Sequence, residues 1–298
     1  MVGGPGLSQR KKAEYAMPTT PRNVTSADYL LGHDREELAR LEHQAAALAP
    51  HTRMILERAG LGPGMRVLDV GTGVGDVAFI AAELVGPSGM VVGIDRSEIA
   101  LARARERAAE RGLDNVEFHE GDLQDWQPVA SFDVAVGRLV LLYVDDPGVA
   151  VARIASMVRP GGVVAFMEFD MAAVESVPSL PLVEQVRDWV CEGFSRSGHD
   201  PRLGIRLGAI FDAAGLSDAQ ALALRDFLPP SSPVVPAMAA GVIRSLLPAL
   251  EQYDIATAAE VDVVTLEARL RDELSIHRAY VTPPALIGGW ARIEGERP

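Results

Sequence analysis

The sequence is poor in cysteine, in lysine and in long apolar runs. Cys191 is the single cysteine among 298 residues, which excludes a disulfide within the chain and a metal site built from several cysteines. Because this thiol lies in an apolar helical pattern, we predict that it packs and takes no part in chemistry. Lysine occurs only at positions 11 and 12, so nearly all of the 28 basic residues are arginine, which we interpret as genomic coding bias.

Signals for membranes and secretion are also missing. No stretch approaches the roughly eighteen uninterrupted apolar residues of a membrane-spanning helix, and residues 1–23 lack the apolar core of a secretion signal. We therefore expect a cytoplasmic protein with no membrane partner. Residues 1–23 are rich in glycine, proline, serine and threonine, and we predict that they form a disordered segment.

Positive charge is scarce. The net charge of -13 argues against nucleic acid as a partner, because contacts to phosphates need a concentrated basic surface. Histidine, aspartate and glutamate do not cluster at the spacing of metal ligands, so no metal is expected. The hydrophobic content of 48% is enough for a large core, either one elaborated α/β domain or a domain with a cap.

The most informative feature is a pair of apolar runs, each followed by residues suited to ligand binding. Residues 67–75 read V-L-D-V-G-T-G-V-G, and residues 91–95 read V-V-G-I-D. A buried parallel strand is a near-continuous apolar run, and glycines directly after it let the backbone turn tightly and approach a ligand at a helix N-terminus. An acid at the end of the next strand, here Asp95, can accept hydrogen bonds from ribose hydroxyls. The pair implies a cofactor that contains a nucleoside.

The charges around the glycine turn select among such cofactors. A dinucleotide site uses G-x-G-x-x-G/A to hold a pyrophosphate, but the spacing here is G-x-G-x-G, and Asp76 occupies the last position expected to be small. Asp69 lies on the other side of the turn, and a carboxylate in contact with a pyrophosphate would cost roughly 4 kcal/mol per pair. S-adenosylmethionine (SAM) has a ribose, an ammonium group and no phosphate, and so tolerates both acids. An NAD-dependent oxidoreductase is the weaker alternative.

At these positions the chain resembles the class I SAM-dependent methyltransferases. V-L-D-V-G-T-G-V-G-D is similar to their first motif and G-I-D-R-S to their second, and the resemblance extends over roughly residues 60–170. It implies that Asp122 binds the adenine amine, that Leu123 meets the ring through its backbone, and that Arg138 reaches the cofactor carboxylate or the acceptor. The alternatives are an Asp122 that caps a helix and an Arg138 on the surface. The expected cofactor-binding residues are Tyr29, Gly71, Thr72, Gly73, Gly75, Asp95, Arg96, Gly121, Asp122, Leu123 and Arg138.

The resemblance also implies a segment that closes the cleft from the N-terminal side. Relatives often place a tyrosine of such a segment over the methionine part of the cofactor, and we assign this role to Tyr29. Tyr29, His33 and Glu168 are the candidate catalytic residues, with His199 and His277 as further candidate bases. A lone histidine near a helix start, such as His33, is more often a cap or a surface residue, and Glu168, at a strand end, could bind a backbone amide instead.

Strands and helices alternate through the middle of the chain. Such alternation predicts right-handed crossovers and a doubly wound parallel sheet, whose ligand lies across the carboxyl ends of the strands. Ser97 is predicted to cap one helix and Pro147 to begin another, and R-P-G-G at 159–162 is predicted to be a turn. The five predicted strands cover residues 67–70, 91–95, 116–119, 132–136 and 163–167.

The C-terminal part is predicted to complete the sheet and cover the cleft. The resemblance implies an antiparallel addition, so residues 219–227 and 284–290 become the last strands of a mostly parallel, seven-stranded Rossmann-like methyltransferase fold. Between them lies a predicted helical stretch, residues 238–274. Apolar helix faces normally pack on a core, yet we expect some of four residues to line an acceptor cavity: Met238, Leu246, Leu247 and Tyr280.

The expected organisation and function follow. Residues 1–23 form the disordered segment, 24–60 an N-terminal helical lid, 61–170 the SAM-binding core, and 171–298 the rest of the sheet with lid insertions that form the acceptor pocket. The predicted activity is SAM-dependent methylation of a small, fairly apolar molecule at O, N or C, in bacterial secondary metabolism. A protein that binds SAM but catalyses a cyclisation is the alternative. The expected partner is a small-molecule acceptor, and a homodimer is left open.

Overall fold

The computed structural model describes residues 35–128 and 130–294, and its centre is a mixed β-sheet. Nine strands are present in this part of the chain, and seven of them form the main sheet. Their bounds are β1 Arg66–Val70, β2 Met90–Asp95, β3 Val116–Glu120, β4 Phe132–Arg138, β5 Val158–Asp170, β6 Glu175–Val177, β7 Gln220–Leu224, β8 Tyr280–Thr282 and β9 Ala285–Arg292.

The strand order confirms the predicted doubly wound sheet. The order is β3-β2-β1-β4-β5-β9-β7, in which β1 to β5 are parallel and β9 runs antiparallel to both of its neighbours. The order in which strands are added to the sheet reverses at β1, because β2 lies on one side of it and β4 on the other. Such a switch point opens a crevice at the carboxyl ends of the strands. A separate pair, β6 and β8, was not predicted, because three-residue strands give too little periodicity to recognise.

Helices cover both faces of the sheet. Alternate residues of β1 point to opposite faces, so Val67 belongs to one buried apolar cluster and Leu68 to the other. The helices are α1 Arg35–Ala59, α2 Asp76–Val85, α3 Glu98–Glu110, α4 Pro147–Ala155, α5 Pro181–Arg196, α6 Leu207–Ala213, α7 Val234–Gln252, α8 Ala258–Val261 and α9 Val263–Ile276.

Local signals place the helix ends near the sheet. The Ser97 hydroxyl accepts a hydrogen bond from the Ala100 amide, as predicted for a cap of α3, and α4 begins at Pro147 behind the capping residue Asp146. Gly86 ends α2 with a φ of 66°, a conformation that glycine adopts easily. These caps fix where each helix begins or ends relative to its strand.

The predicted turn at residues 159–162 is wrong. These residues lie inside β5, which begins at Val158, and they form an irregular stretch where the register against β4 shifts between Phe132 and Val134. The Gly161 amide donates to the Ile293 carbonyl and the Ile293 amide to the Gly162 carbonyl. Pairing with the chain segment after β9, which is distant in sequence, therefore turns an expected loop into strand.

The insertion between β7 and β9 forms a helical lid with α5. The predicted single helical stretch is three helices, α7 to α9, and it begins earlier than expected, at Val234, because Pro236 is accommodated in the first turn of α7. Gly193 of α5 lies close to Leu246 and Leu250 of α7. Among the described residues, α7 is the one helix long and apolar enough to cross a membrane; here its buried residues pack in the lid.

The predicted N-terminal lid segment, residues 24–60, lies partly outside the described residues, and its described part is α1. The second half of α1 packs on the sheet, where Ile55 is fully buried and contacts Gly288 of β9. About two to three turns earlier, Ala45 and Leu48 line the cavity at the strand ends. The same helix therefore covers both the sheet and the cleft.

Candidate functional site

A cavity of about 800 Å³ lies at the carboxyl ends of β1, β2 and β4 and extends beneath the lid. Its size falls in the range of pockets that bind cofactors and small molecules. The loops after β1, β2, β3 and β4 form its floor, and α1, α5, α7 and α9 contribute to its walls. The site therefore occupies the crevice that the sheet topology predicts.

The glycine turn after β1 forms one end of the cavity. Gly71 and Gly73 line it with φ values of 64° and 54°, which are unfavourable for residues with a Cβ. A Cβ on Gly71 would approach Val140 to 2.6 Å, whereas one on Gly73 would meet open space. The turn thus presents bare backbone to whatever occupies the cavity.

An arginine from α3 holds this turn in place. Arg107 is almost fully buried, donates from Nη1 to the Val74 carbonyl at 2.7 Å, and donates from Nη2 to Asp76 at 2.7 Å. Its guanidinium also lies 5.2 Å from the centre of the Phe79 ring. Sequence reasoning missed this contact, because Arg107 is distant in sequence and reads as one of several surface arginines on α3.

Asp95 stands at the end of β2 and faces the glycine turn. Its Oδ2 accepts a hydrogen bond from the Gly73 amide at 2.9 Å, and its Oδ1 accepts one from the Ser97 amide at 2.9 Å. Each carboxylate oxygen can accept two hydrogen bonds, so both keep acceptor capacity toward the cavity. The geometry suits a diol of a ribose beside the turn.

The loop after β3 lines the same end of the cavity as the glycine turn. Gly121, Asp122 and Leu123 all line the cavity, and Asp122 accepts a hydrogen bond from the Gln124 amide through Oδ1. This bond closes a turn at residues 123–125, and no helix begins there for Asp122 to cap. Its Oδ2 lies 3.7 Å from Nη1 of Arg96, in an exposed pair. The turn contact and binding of adenine are compatible, because the carboxylate retains further lone pairs.

Two ionisable residues, the buried Asp69 and the partly buried Arg138, lie at the ends of β1 and β4. Burial raises the pKa of Asp69 to about 7, although its Oδ2 accepts from the Thr72 hydroxyl at 2.6 Å; its Oδ1 has no hydrogen-bond partner among the described residues. Arg138 lines the cavity and donates to the Thr52 hydroxyl at 2.8 Å. Burial lowers the pKa of Arg138, while Asp76 and Asp69 act in the opposite direction. Arg138 therefore faces inward, and the surface alternative does not apply.

Glu168 is not positioned as a general base would be. It is buried, it does not line the cavity, and its Oε1 accepts hydrogen bonds from the amides of Val140 at 2.9 Å and Leu141 at 2.7 Å. Burial raises its pKa to about 8 against the effect of these two bonds. The position favours the alternative that we weighed, a carboxyl that fixes the loop after β4.

The structure brings most of the predicted cofactor-binding residues together. Among the described candidates, Gly75 is the one that does not line the cavity; it begins α2 with a φ of 89° instead. Tyr29 and His33 lie outside the described residues. The candidates that line the cavity are Gly71, Thr72, Gly73, Asp95, Arg96, Gly121, Asp122, Leu123 and Arg138.

Comparison with known protein families decides the assignment. Residues 61–197 match the family model described as a methyltransferase domain. The match begins just before β1 and runs through α5, so it contains every strand end that forms the floor of the cavity. Over residues 61–197 the chain is therefore similar to methyltransferase domains.

Two curated relatives are similar over this domain. Nocamycin O-methyltransferase of Saccharothrix syringae is 45% identical over 115 residues, which are 38% of this chain and 41% of the relative. Aklanonic acid methyltransferase DauC of Streptomyces sp. (strain C5) is 40% identical over 104 residues, 35% of this chain and 47% of the relative. The chain thus spans less than half the length of these two relatives.

A solved structure supports the fold over a longer range. Phosphoethanolamine N-methyltransferase 2 of Haemonchus contortus, in complex with phosphomonomethylethanolamine and S-adenosylhomocysteine, aligns with a TM-score of 0.52 at 20% identity. The alignment covers 83% of this chain and 53% of that one. It shows that the methyltransferase fold continues past the domain match.

Lining residues were predicted less well for the lid half of the cavity, the part that α5, α7 and α9 form. Met238 lines the cavity as expected, whereas Leu246 is fully buried between helices and neither Leu247 nor Tyr280 lines it. Helical periodicity shows that a helix has an apolar face but not what that face contacts. Sequence reasoning also missed further residues that the methyltransferase domain places at the cavity, namely Tyr143, Asp145, Val186, Arg187 and Val190.

Two other predicted groups do not reach the cavity. His199 lies behind it, where Nδ1 is 2.9 Å from the Leu142 carbonyl and the ring packs edge-on against Tyr143. Cys191 is half-buried in α5, and burial raises the pKa of its thiol to about 11. A thiol with such a pKa stays protonated at neutral pH, in line with a packing role.

Proposed function

We propose that this protein transfers the methyl group of SAM to a small, fairly apolar molecule. The observation that carries the proposal is one continuous cavity: polar strand ends suited to a nucleoside form one part, and apolar helix faces form the other. A two-substrate reaction needs this arrangement, because cofactor and acceptor must meet in a space that excludes water.

The polar part of the cavity fits SAM. The carboxylate of Asp95 is available to ribose hydroxyls, and the loop at Asp122 and Leu123 is available to adenine. Beneath the glycine turn, the buried carboxyl of Asp69, with a pKa of about 7, carries part of a negative charge at neutral pH, which suits an ammonium group and disfavours a phosphate. Arg138 supplies a cation for a carboxylate. These charges match the two ends of an amino-acid moiety.

SAM, when bound, supplies a methyl group on a sulfonium that leaves as a neutral thioether. The acceptor provides the electron pair of the new bond, sulfur takes the pair of the broken bond, and any proton on the acceptor atom goes to a base or to water. The chain contributes alignment, with the reacting atoms about 3 to 3.5 Å apart. Apolar residues of α5 and α7 exclude water from this space.

Three residues have proposed roles in the transfer step. Tyr29 and His33 remain proposals for a residue over the methionine part of SAM and for a base, respectively. Asp145, on the loop after β4, lines the cavity and is a further candidate base. A base accelerates transfer to a hydroxyl, amine or acidic carbon by about 10²- to 10⁴-fold.

The two curated relatives suggest the metabolic setting. Their names describe methylation of nocamycin and of aklanonic acid, and both come from bacteria. By analogy we infer an acceptor from bacterial natural-product biosynthesis, in the cytoplasm, with neither nucleic acid nor membrane as partner. This analogy concerns the class of acceptor and leaves O, N and C open as the acceptor atom.

Binding and turnover test the proposal. Titration calorimetry should show binding of SAM and S-adenosylhomocysteine and none of NADH. Saturation at a hundredfold the dissociation constant should stabilise the fold by about 2.7 kcal/mol in thermal unfolding. Incubation with methyl-labelled SAM and a panel of phenols, carboxylic acids, amines and 1,3-dicarbonyl compounds should then release S-adenosylhomocysteine. Binding of NADH but not of SAM would contradict the proposal, as would SAM binding with no methyl transfer to any class of acceptor.

A further inference from the structure

The lid half of the cavity is apolar except for one guanidinium. Among the residues of α5, α7 and α9 that line the cavity, all of them described, Arg187 is the only charged one. It lies on α5 between Val183 and Val190, at spacings of four and three residues that bring all three side chains to one face. The helix therefore directs this arginine to the same chamber as its apolar neighbours.

The guanidinium of Arg187 has N–H groups that its contact with Asp188 does not use. Its Nε donates to Oδ1 of Asp188 at 2.9 Å, and its Nη2 lies 2.8 Å from the same oxygen. The Asp188 side chain is 66% exposed and that of Arg187 only 25%, so the pair lies at the rim with the arginine on the inner side. Nη1 has no acceptor among the residues that the structure describes. A guanidinium offers five N–H groups in a planar fork, and an oxyanion fits the unused ones.

We propose that Arg187 determines specificity by binding an acidic group of the acceptor, which is then an apolar molecule with a carboxylate, phenolate or enolate. Because Asp188 engages only Nε and Nη2, the remaining N–H groups of this guanidinium, beside an apolar chamber, favour a ligand with an acidic group. The other charged residues that line the cavity, Asp145 among them, belong to the sheet side and not to α5, α7 or α9. This inference rests on the proposed function and narrows its substrate class.

A pair of probes that differ in charge tests the chamber directly. The probes are 8-anilinonaphthalene-1-sulfonate, an apolar anion, and N-phenyl-1-naphthylamine, which has the same ring skeleton and no charge. Both are titrated by fluorescence into the protein saturated with S-adenosylhomocysteine. Ala239→Trp, which fills the chamber from α7, should abolish binding of both probes. Unchanged binding of both probes to this variant would overturn the proposal.

The Arg187 variants separate charge from shape. Arg187→Gln should weaken binding of the anionic probe about tenfold or more and leave the neutral probe unchanged, since a hydrogen bond to a charged group is worth that much. Arg187→Lys keeps the charge and should retain most of the affinity. The matched control is Arg196→Gln, an exposed arginine of the same helix, which should bind both probes as the wild type does.

These experiments distinguish a failure of the role proposed for Arg187 from a failure of the proposed function. Equal affinity of wild type and Arg187→Gln for the anionic probe, with S-adenosylhomocysteine bound, would overturn the role of Arg187 and leave methyl transfer untouched. Failure of S-adenosylhomocysteine to bind the wild type would instead count against the proposed function. Circular dichroism of each variant checks that its helices are intact.

Discussion

At the scale of the residue, Asp95 combines a structural and a binding role. It accepts hydrogen bonds from Gly73 and Ser97, and thus connects the glycine turn to the start of α3 while facing the cavity. Asp95→Ala should weaken binding of S-adenosylhomocysteine by about 1.5 to 3 kcal/mol, the value of hydrogen bonds to a charged group. Titration calorimetry measures the loss.

Two variants make this prediction specific. Asp95→Asn keeps one acceptor oxygen and should lose less affinity than the alanine variant. Asp125→Ala changes an exposed aspartate that does not line the cavity, and it should bind as the wild type does. A dissociation constant for Asp95→Ala equal to that of the wild type would remove Asp95 from the site.

Glu168 allows a second prediction at this scale. Because its Oε1 accepts from two backbone amides and does not face the cavity, Glu168→Gln should keep both bonds and keep turnover within about tenfold of the wild type. A general base would lose about 10²- to 10⁴-fold on the same change. Glu168→Ala removes the acceptor and should lower the free energy of unfolding by about 1 to 3 kcal/mol. A Gln variant with a thousandfold lower kcat and an intact fold would restore the catalytic role.

Sequence reasoning predicted the residues whose neighbours are close along the chain. Gly71, Gly73 and Asp95 follow apolar strands directly, so the strand pattern alone places them at one edge of the sheet. Arg107 and Glu168 act on backbone groups that are many residues away. Their roles depend on tertiary packing, and nothing in the local pattern distinguishes them from a surface arginine or a catalytic acid.

At the scale of the element, the contact of α3 with the glycine turn is the feature to test. Arg107 and Asp76 form a nearly buried pair, and the arginine also holds the Val74 carbonyl. Arg107→Met should lower the free energy of unfolding by about 3 to 5 kcal/mol, because it leaves Asp76 without its cation in a poorly solvated place. Urea unfolding followed by circular dichroism measures this change.

The controls use the same helix and the same pair. Arg103→Met affects an arginine whose partners are exposed glutamates, and it should cost less than about 1 kcal/mol. Adding Asp76→Asn to Arg107→Met should recover part of the lost stability, since it removes the unpaired charge. Equal stability of wild type and Arg107→Met would show that the pair does not hold the turn.

Elements differ in how far their sequence determines them. Strands β1 to β4 and the first residues of α3 and α4 were predicted closely, because buried runs and caps define them locally. The beginning of β5 and the pair β6 and β8 depend on partners far away in sequence. The lid helices were predicted as helices, but the choice between Met238 and Leu246 as a cavity residue depends on how α7 is rotated against α5 and α9.

At the scale of the whole molecule, two buried carboxyl groups make stability depend on pH. Burial raises the pKa of Asp69 from 3.8 to about 7 and that of Glu168 from 4.5 to about 8. At a pH between the unfolded and the folded pKa of each group, the folded state holds a proton that the unfolded state has released. Stability from both groups is therefore complete below about pH 4 and decreases as the pH rises, by at most about 1.4 kcal/mol per pH unit for each group.

Glu168→Gln isolates one of these contributions. At pH 5 the carboxyl of the folded wild type is protonated, so the two proteins should have similar free energies of unfolding. From pH 5 to pH 8 the wild type should lose stability relative to the variant, because an amide has no proton to release; above pH 8 the difference should level off. Urea unfolding at half-unit steps of pH measures the difference, with the exposed Glu57→Gln as the control. A difference that is constant from pH 5 to pH 8 would mean that Glu168 is ionised in the folded protein, and the loop after β4 would then be held by a charged acceptor.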